Sequence, residues 1–546
     1  MNFIKNIRLN WALYTLLALT AINCSKDDSN SSPEEEQQTE LIESGGVSPE
    51  DFETYEGDIG FILNTRNIAK KGYQPTQAII NVTATTGDYS QTITLDEFSF
   101  LGQIKLSKEN LSDEAEAELA EGVGLSVTIL DENDTEIISQ NFSGIVFNSQ
   151  NPPKSLNVAT LEETELNQTI NLAQDTPYYV QEVNNELLPI ASALRVNSNP
   201  GFDDILTVSS GATFNGIDTE PDMIFNFVPF EGEFNTYAIK LKAYGQFVGV
   251  SNESHRHVKM FGFNNFDDVL NASTVENYKF IIEKISEGKY IIKSKLTGHS
   301  FKTISGVGIA AGTIGTERYF RIISNTWNWE VQELGVTSLT PILAKPTTSF
   351  GANSTLTNCG NGTLSQTIGT DESETTTNTL GWEESFSITG SVSSSYSATV
   401  GTEFEAGFFG TSATYNAEVS TTQEISASMT SDNTTFSEEI NETTETLFFE
   451  RTVTVPSGSA SLVYDVAQTY DNTIVQFVQR IRLTATDENG SISGEELQSQ
   501  LQFSRFNGVV TDVQDSYIDI SIKGFMELGR FFEAQSSVED VPVNCN

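Results

Sequence analysis

Basic residues are scarce in this chain: 29 Lys and Arg stand against 75 Asp and Glu, for a formal net charge of −46. So acidic a surface repels a phosphate backbone, which excludes nucleic acid as a partner. It also has no general attraction to anionic lipid, so approach to a membrane requires a specific receptor or an anchor. Cysteine is rarer still, with 3 residues, and neither Cys359 nor Cys545 has a neighbour at metal-ligand spacing. His255 and His257 alternate, with Arg256 between them and His299 further on. Two histidines without a nearby carboxylate read as a surface loop, so no metal is expected. The chain has no Ser-His-Asp set, no Gly-rich phosphate loop and no paired-carboxylate signature, so we expect no catalytic residues, no cofactor and no enzyme activity. Apolar residues, at 38%, are too few for a helical membrane protein.

What is abundant points to strands. The 34 Phe, 16 Tyr and 39 Gly, with dense Ser and Thr, favour sheets and turns, and 546 residues suffice for three or four domains. The expected fold class is all-β.

The first residues read as a processing signal. Lys5 and Arg8 precede an apolar stretch, Trp11 to Ile22, too short to span a membrane as a stable helix. It ends at Ala21-Ile22-Asn23-Cys24, which resembles a bacterial lipobox and implies a diacylglycerol on Cys24. Residues 1–24 are then a lipoprotein signal peptide and 25–48 a polar acidic tether. The acidic patch after Cys24 resembles the export signal of surface-exposed outer-membrane lipoproteins. The expected location is the outer membrane, facing outward, or the exterior after release.

Residues 49–165 alternate short apolar runs with turns and predict a β-sandwich, Ig-like, with a short helix near Asp113–Glu121. Residues 170–337 carry a weak repeat: Tyr237–Gly245 (YAIKLKAYG) matches Tyr290–Gly298 (YIIKSKLTG), offset by 53 positions. Aromatic strands IFNFV, YKFII and YFRII, the last closing with Trp327 and Trp329, suggest three lobes of hairpins. The pattern resembles a β-trefoil, a fold often used for sugar binding, though the Gln-x-Trp signature of ricin-type trefoils is missing. Its aromatics are expected in the core. After a Pro-containing linker, residues 346–546 form the last domain. Cys359 and Cys545 lie near its two ends, either bridged or as two free thiols.

Within that domain, residues 385–430 carry the strongest pattern. On the ascending arm the even positions hold Phe386, Ile388, Val392, Tyr396, Ala398, Val400, Phe404 and Ala406, while the odd ones hold Ser, Thr, Gly and Glu. After Gly407-Phe408-Phe409-Gly410 the parity inverts, and odd positions hold Ala413, Tyr415, Ala417, Val419, Ile425, Ala427 and Met429. A turn at Phe408-Phe409 gives partners summing to 817, with Ile388 facing Met429. Both apolar sets then share one face, because strand side chains alternate between faces. Arms of about 20 residues far exceed the usual 5–6, whereas a membrane strand needs about 9–11. A hairpin cannot span alone, since its edges leave amides unpaired, so several copies must close a barrel. The even face of the ascending arm with the odd face of the descending arm would meet lipid. Phe408 and Phe409, flanked by Gly407 and Gly410, would form the insertion tip. Glu403, Glu405, Glu418 and Glu424 would face the lumen and favour cations.

The Ser/Thr-rich arms around a short apolar tip, the earlier Gly381-Trp382, and Val455-Pro456 at the end of the return strand resemble the aerolysin and epsilon-toxin/mosquitocidal-toxin family of β-pore-forming proteins. The resemblance covers about residues 346–480. It implies an elongated pore-forming domain, a ring of identical protomers, commonly seven, and a trefoil module that binds a glycan or other surface receptor. It also implies activation by loss of a terminal peptide, for which 484–546 is the candidate. The expectation is a surface-anchored or secreted pore-forming toxin acting on a target membrane. The alternative is a non-lytic, glycan-binding adhesive lipoprotein.

Overall fold

The computed structural model describes residues 58–543, apart from 148–154, 185–188, 198–204, 211–220, 264, 305–307, 325, 340–341 and 343–346, and, around the hairpin, 385–387, 389–390, 393–395, 400–425 and 430–438. Cys24 and the tether lie outside the described residues.

The first domain is a two-sheet sandwich. Strands β1 (Asp58–Asn64), β4 (Leu101–Ser107) and β7 (Ser155–Asn157) form one sheet; β2 (Gln77–Thr83), β3 (Asp88–Thr94), β5 (Val123–Leu130) and β6 (Glu136–Ile145) form the other. Burial alternates along β5, as a strand with one face in a core requires. Phe61, Leu63, Ile80, Val127 and Ile129 fill the space between the sheets. Helix α1 (Arg66–Ala69) follows β1 directly. Helix α2 (Asp113–Glu121) starts at an N-cap where Ser112 accepts from the Ala115 amide, and it buries Leu119. A short helix α3 (Glu165–Gln168) leads out of the domain.

The second domain is a β-trefoil, and its strand pairing establishes this directly. Its strands are β8 (Tyr178–Val183), β9 (Pro189–Asn197), β10 (Ile205–Ser210), β11 (Ile224–Pro229), β12 (Thr236–Leu241), β13 (Phe247–Val250), β14 (Val258–Phe261), β15 (Phe280–Ser286), β16 (Lys289–Ser294), β17 (Lys302–Ile304), β18 (Gly308–Ala310), β19 (Thr316–Glu317) and β20 (Tyr319–Ile323), with helix α4 (Phe266–Leu270) before β15. Six of them close a ring: β8–β11–β12–β15–β16–β20 and back to β8. Three hairpins, β9–β10, β13–β14 and β17–β18, complete the lobes. The aromatic strands seen in the sequence are β11, β15 and β20, the last ring strand of each lobe. Phe225, Phe280 and Phe320 are fully buried in one shared core with Tyr178, Phe227 and Phe301.

Trp327 and Trp329 do not close the trefoil. They pack with Ile481, Leu483 and Ile520 in the third domain. The reason is that β21 (Asn328–Ser338) leaves the ring and pairs along a strand of the next sheet.

The third domain is built from long strands. They are β22 (Thr347–Asn358), β23 (Leu364–Trp382), β24 (Ser391–Val392), β25 (Tyr396–Thr399), β26 (Ser426–Met429), β27 (Glu439–Val455), β28 (Ser459–Asp487), β29 (Gly490–Ser491), β30 (Val509–Val513) and β31 (Ile518–Pro542). β28 has 29 residues, roughly 95 Å at ~3.3 Å per residue. It pairs antiparallel with β31, from Ser459 opposite Pro542 to Leu483 opposite Ile518, in one register. β23 pairs with β27 on one side and β31 on the other. β27 ends at Val455, and Pro456 opens the turn into β28, as the Val-Pro reading implied.

Residues 484–546 are therefore not a peripheral, releasable peptide. β31 lies between β28 and β23, so removing it would strip the sheet of its central strand. Helix α5 (Gly494–Phe503), within the same segment, starts at a capping box of Ser493 and Glu496. It ties the trefoil to the third domain. The Phe503 ring lies 4.5 Å from that of Tyr290 in the trefoil core, tilted by 57°, while Leu497 and Leu501 join the Trp327 cluster. Gln500 donates to the Ile322 carbonyl at 3.1 Å and accepts from the Ser324 amide at 3.0 Å.

Candidate functional site

The hairpin emerges between β23 and β27, which hold its base as a ladder from Leu364 opposite Val455 to Leu380 opposite Glu439. At the end of β23 the chain is tightly seated. A Cβ on Gly381 would lie 2.2 Å from the Phe525 ring, so only glycine lets β31 pack across this point. Trp382 meets the Phe477 ring edge to face at 5.2 Å. The chain then turns at Glu383 and Glu384, whose amides both donate to the Lys523 carbonyl on β31, at 3.0 and 3.1 Å.

Glu384 is only 5% exposed and has charged partners from the sandwich. Arg66, on α1 and 1% exposed, donates through Nε to Oε1 at 2.9 Å and through Nη2 to Oε2 at 2.5 Å. Lys70 Nζ lies 2.7 Å from Oε1, and the Lys523 amide donates to Oε2 at 2.9 Å. The rest of the Arg66 fork is used as well, donating to the Ser99 carbonyl at 2.9 Å and the Ser521 carbonyl at 2.8 Å. Lys523 Nζ reaches Glu383 at 2.8 Å. Burial pushes the Glu384 carboxyl up, but Arg66 and Lys70 outweigh it and hold it below the ordinary carboxylate value. Lys70 also lines a cleft of about 510 Å³ with Lys71 of the sandwich, Lys284 of the trefoil and Asn507 of the third domain.

Sequence reasoning missed this cluster. Arg66 and Glu384 are 318 positions apart, and nothing local marks Glu384. The faint signal is an arginine placed directly after the buried strand β1.

Beyond Glu384, Ile388 is buried with Trp327, Trp329 and Ile481. β24 runs parallel to β21, with Asn328 opposite Ser391 and Trp329 opposite Val392. Further out, β25 and β26 pair Tyr396 with Met429 and Ala398 with Ala427. The register expected from the sequence, with Ile388 opposite Met429, is therefore not the one present: partners here sum to 825, not 817. A shift by an even number keeps odd positions opposite even ones, so alternation alone cannot distinguish the two. Phe386, Val400, Phe404, Tyr415, Val419 and Ile425 lie outside the described residues. So do Gly407, Phe408, Phe409 and Gly410, expected at the tip, and Glu403, Glu405, Glu418 and Glu424, expected in the lumen. Cys359 is disulfide-bonded, and Cys545 lies outside the described residues.

In the trefoil, His255 and His257 sit in the loop before β14 with ring centroids 5.6 Å apart. A carboxylate is close after all. Glu253 stands only four positions before His257, and the turn at Glu253–Arg256 brings its carboxylate to 4.0 Å from His257 Nε2. No group of three metal-ligating side chains occurs among the described residues.

No family model matches the chain, and no curated protein sequence does. Among solved structures it is similar to the Mpp75Aa1.1 β-pore-forming protein from Brevibacillus laterosporus: 12% identical, 47% of this chain and 81% of that one, TM-score 0.21. It is similar to the parasporin-2 toxin of Bacillus thuringiensis: 17% identical, 45% of this chain and 87% of that one, TM-score 0.16. It is also similar to the BEL β-trefoil: 13% identical, 28% of this chain and 97% of that one, TM-score 0.21. These three solved structures are thus a β-pore-forming protein, a toxin and a β-trefoil, each at low similarity.

Proposed function

We propose that this chain is a surface-anchored or secreted pore-forming protein of the aerolysin-like kind. The trefoil, and with it the sandwich, holds a receptor on the target surface, a glycan being the candidate class. Copies gather into a ring, and each contributes residues 385–430 to a β-barrel. The observation that carries this reading is the two-armed alternation of residues 385–430. It is supported by the odd-to-even pairing of β25 with β26 and by a base ladder of seventeen pairs already formed between β23 and β27. No positive charge lies on either arm, while Glu403, Glu405, Glu418 and Glu424 occupy the polar positions. Rings of carboxylates in a lumen select cations.

The test is conductance across a planar bilayer with residues 47–546. Stepwise currents whose reversal potential in a salt gradient follows the cation are the expected result. Anion preference would overturn the assigned lumen face. Silence, with lipid-bound protein still monomeric, would favour the adhesive reading.

The anchor is part of the proposal. Cells expressing the full chain are expected to incorporate labelled fatty acid into it, and Cys24→Ser should abolish that label. Label persisting in the variant would remove Cys24 as the acylated residue.

A further inference from the structure

The two arms of the hairpin are out of step in this structure. At the base Leu380 pairs with Glu439, and partners sum to 819. Further out Tyr396 pairs with Met429, and partners sum to 825. From 380 to 396 the ascending arm spends sixteen residues; from 429 to 439 the descending arm spends ten. The ascending arm therefore holds a surplus of six, and because six is even the apolar parity survives.

The described part of that surplus is held against the body of the protein. Glu383 and Glu384 turn off β23 onto Lys523, Ile388 is buried beside Trp327 and Trp329, and Ser391-Val392 runs along β21. The charged grip on this excursion comes from another domain, through Arg66 and Lys70 on Glu384.

We propose that Glu384 is a latch that stores six residues of the ascending arm, and that withdrawal of the sandwich releases them, letting the β23–β27 register run on toward the tip. The inference deepens, and rests on, the reading of 385–430 as an insertion hairpin. Once Arg66 and Lys70 leave, Glu384 is a buried carboxylate without a counter-charge, and its favourable place is water. Ile388, four residues on, follows it out of the core. With partners summing to 819, Val392 then meets Ala427, Val400 meets Val419 and Phe404 meets Tyr415, so the slid register still sets apolar residues opposite one another at these positions. The trigger is movement rather than mild acid. The groups facing Glu384 are the Arg66 and Lys70 cations and the Lys523 amide, with the Lys523 ammonium on neighbouring Glu383. The two cations oppose protonation of Glu384 while the domain stays docked.

The test uses the full chain and two cysteine pairs. Ala398→Cys with Ala427→Cys probes the stored register, and Val392→Cys with Ala427→Cys probes the slid one. In solution, the first pair should form its disulfide readily and the second poorly. Adding Glu384→Gln should raise the cross-linking rate of the second pair at least about tenfold without any membrane. Lys70→Met, which removes one contact of a quarter-exposed side chain, should raise it by less and serves where Glu384→Gln fails to fold. On vesicles, oxidation of the first pair should stop leakage that the unoxidised sample shows. If neither latch variant raises cross-linking of the 392–427 pair, the latch falls, even if the wild type leaks vesicles. If both variants raise it in solution while no preparation leaks vesicles, the latch stands and the pore reading fails.

Discussion

Vesicles treated with the double variant Phe408→Ser, Phe409→Ser are expected to leak at least about a hundredfold more slowly than with the parent chain. The estimate follows from transfer: burying each phenylalanine in an apolar medium is worth about 1.5–3 kcal/mol, so two contribute about 3–6 kcal/mol per protomer. Serine replaces that gain with a hydroxyl that has no partner in hydrocarbon. The phenylalanines stand between Gly407 and Gly410 at the centre of the parity inversion, where the proposal has the hairpin cross first. Adsorption to the target surface should be unchanged, because the proposal assigns binding to other domains. Dye release and co-sedimentation measured on the same vesicles separate the two steps. Undiminished release would remove Phe408 and Phe409 as the tip, and lost adsorption would show that these residues serve binding instead.

The second large effect concerns Arg66→Ala, expected to destabilise the third domain by about 3–5 kcal/mol at neutral pH. The side chain is 1% exposed, and its removal takes a bidentate partner from Glu384 and a donor each from the Ser99 and Ser521 carbonyls. Lys70 and the Lys523 amide remain, and they do not replace the guanidinium. Tryptophan emission in urea is the measurement. In residues 47–546 the tryptophans are Trp327, Trp329 and Trp382, all packed in the third domain, so the signal reports that domain even where the chain unfolds in stages.

The deficit should depend on pH in a stated direction. In the parent chain the Glu384 pKa is lowered on folding, so its contribution is present above the ordinary value of about 4.3 and is lost as pH falls through the lower folded value. Without Arg66 the buried carboxylate is under-compensated, and protonation relieves it. The difference between variant and parent should therefore shrink from pH 7 toward pH 4. A difference constant across that range would assign the loss to packing of the arginine stem rather than to its charge.

Much of the fold was legible because it is local or periodic. Aromatic strands recurring through residues 224–323 marked the three lobes, since each lobe contributes the same kind of strand to one shared core. The acidic stretch Asp113–Glu121 announced α2. Val455-Pro456, singled out by the family resemblance, stands at the end of β27. What failed to be read was long-range. Trp327 and Trp329 follow the trefoil in sequence yet belong to the next core, because β21 finds its partner in β28 about 150 positions away. The segment 484–546 looked detachable by its position, although β31 is held on both sides.

The hairpin divides the two kinds of information most clearly. The amino-acid order alone determines which positions are apolar and that the parity inverts at Gly407–Gly410. An alternation of period two says which face a residue occupies and is blind to any even displacement. The register therefore had to be decided by the tertiary structure. There Arg66 and Lys70 clasp Glu384, Ile388 fills the Trp327 core, and the ascending arm lies six residues out of step with its base. A buried carboxylate selects the position where its counter-charges are, and those charges come from a helix more than 300 residues upstream that no local pattern connects to it.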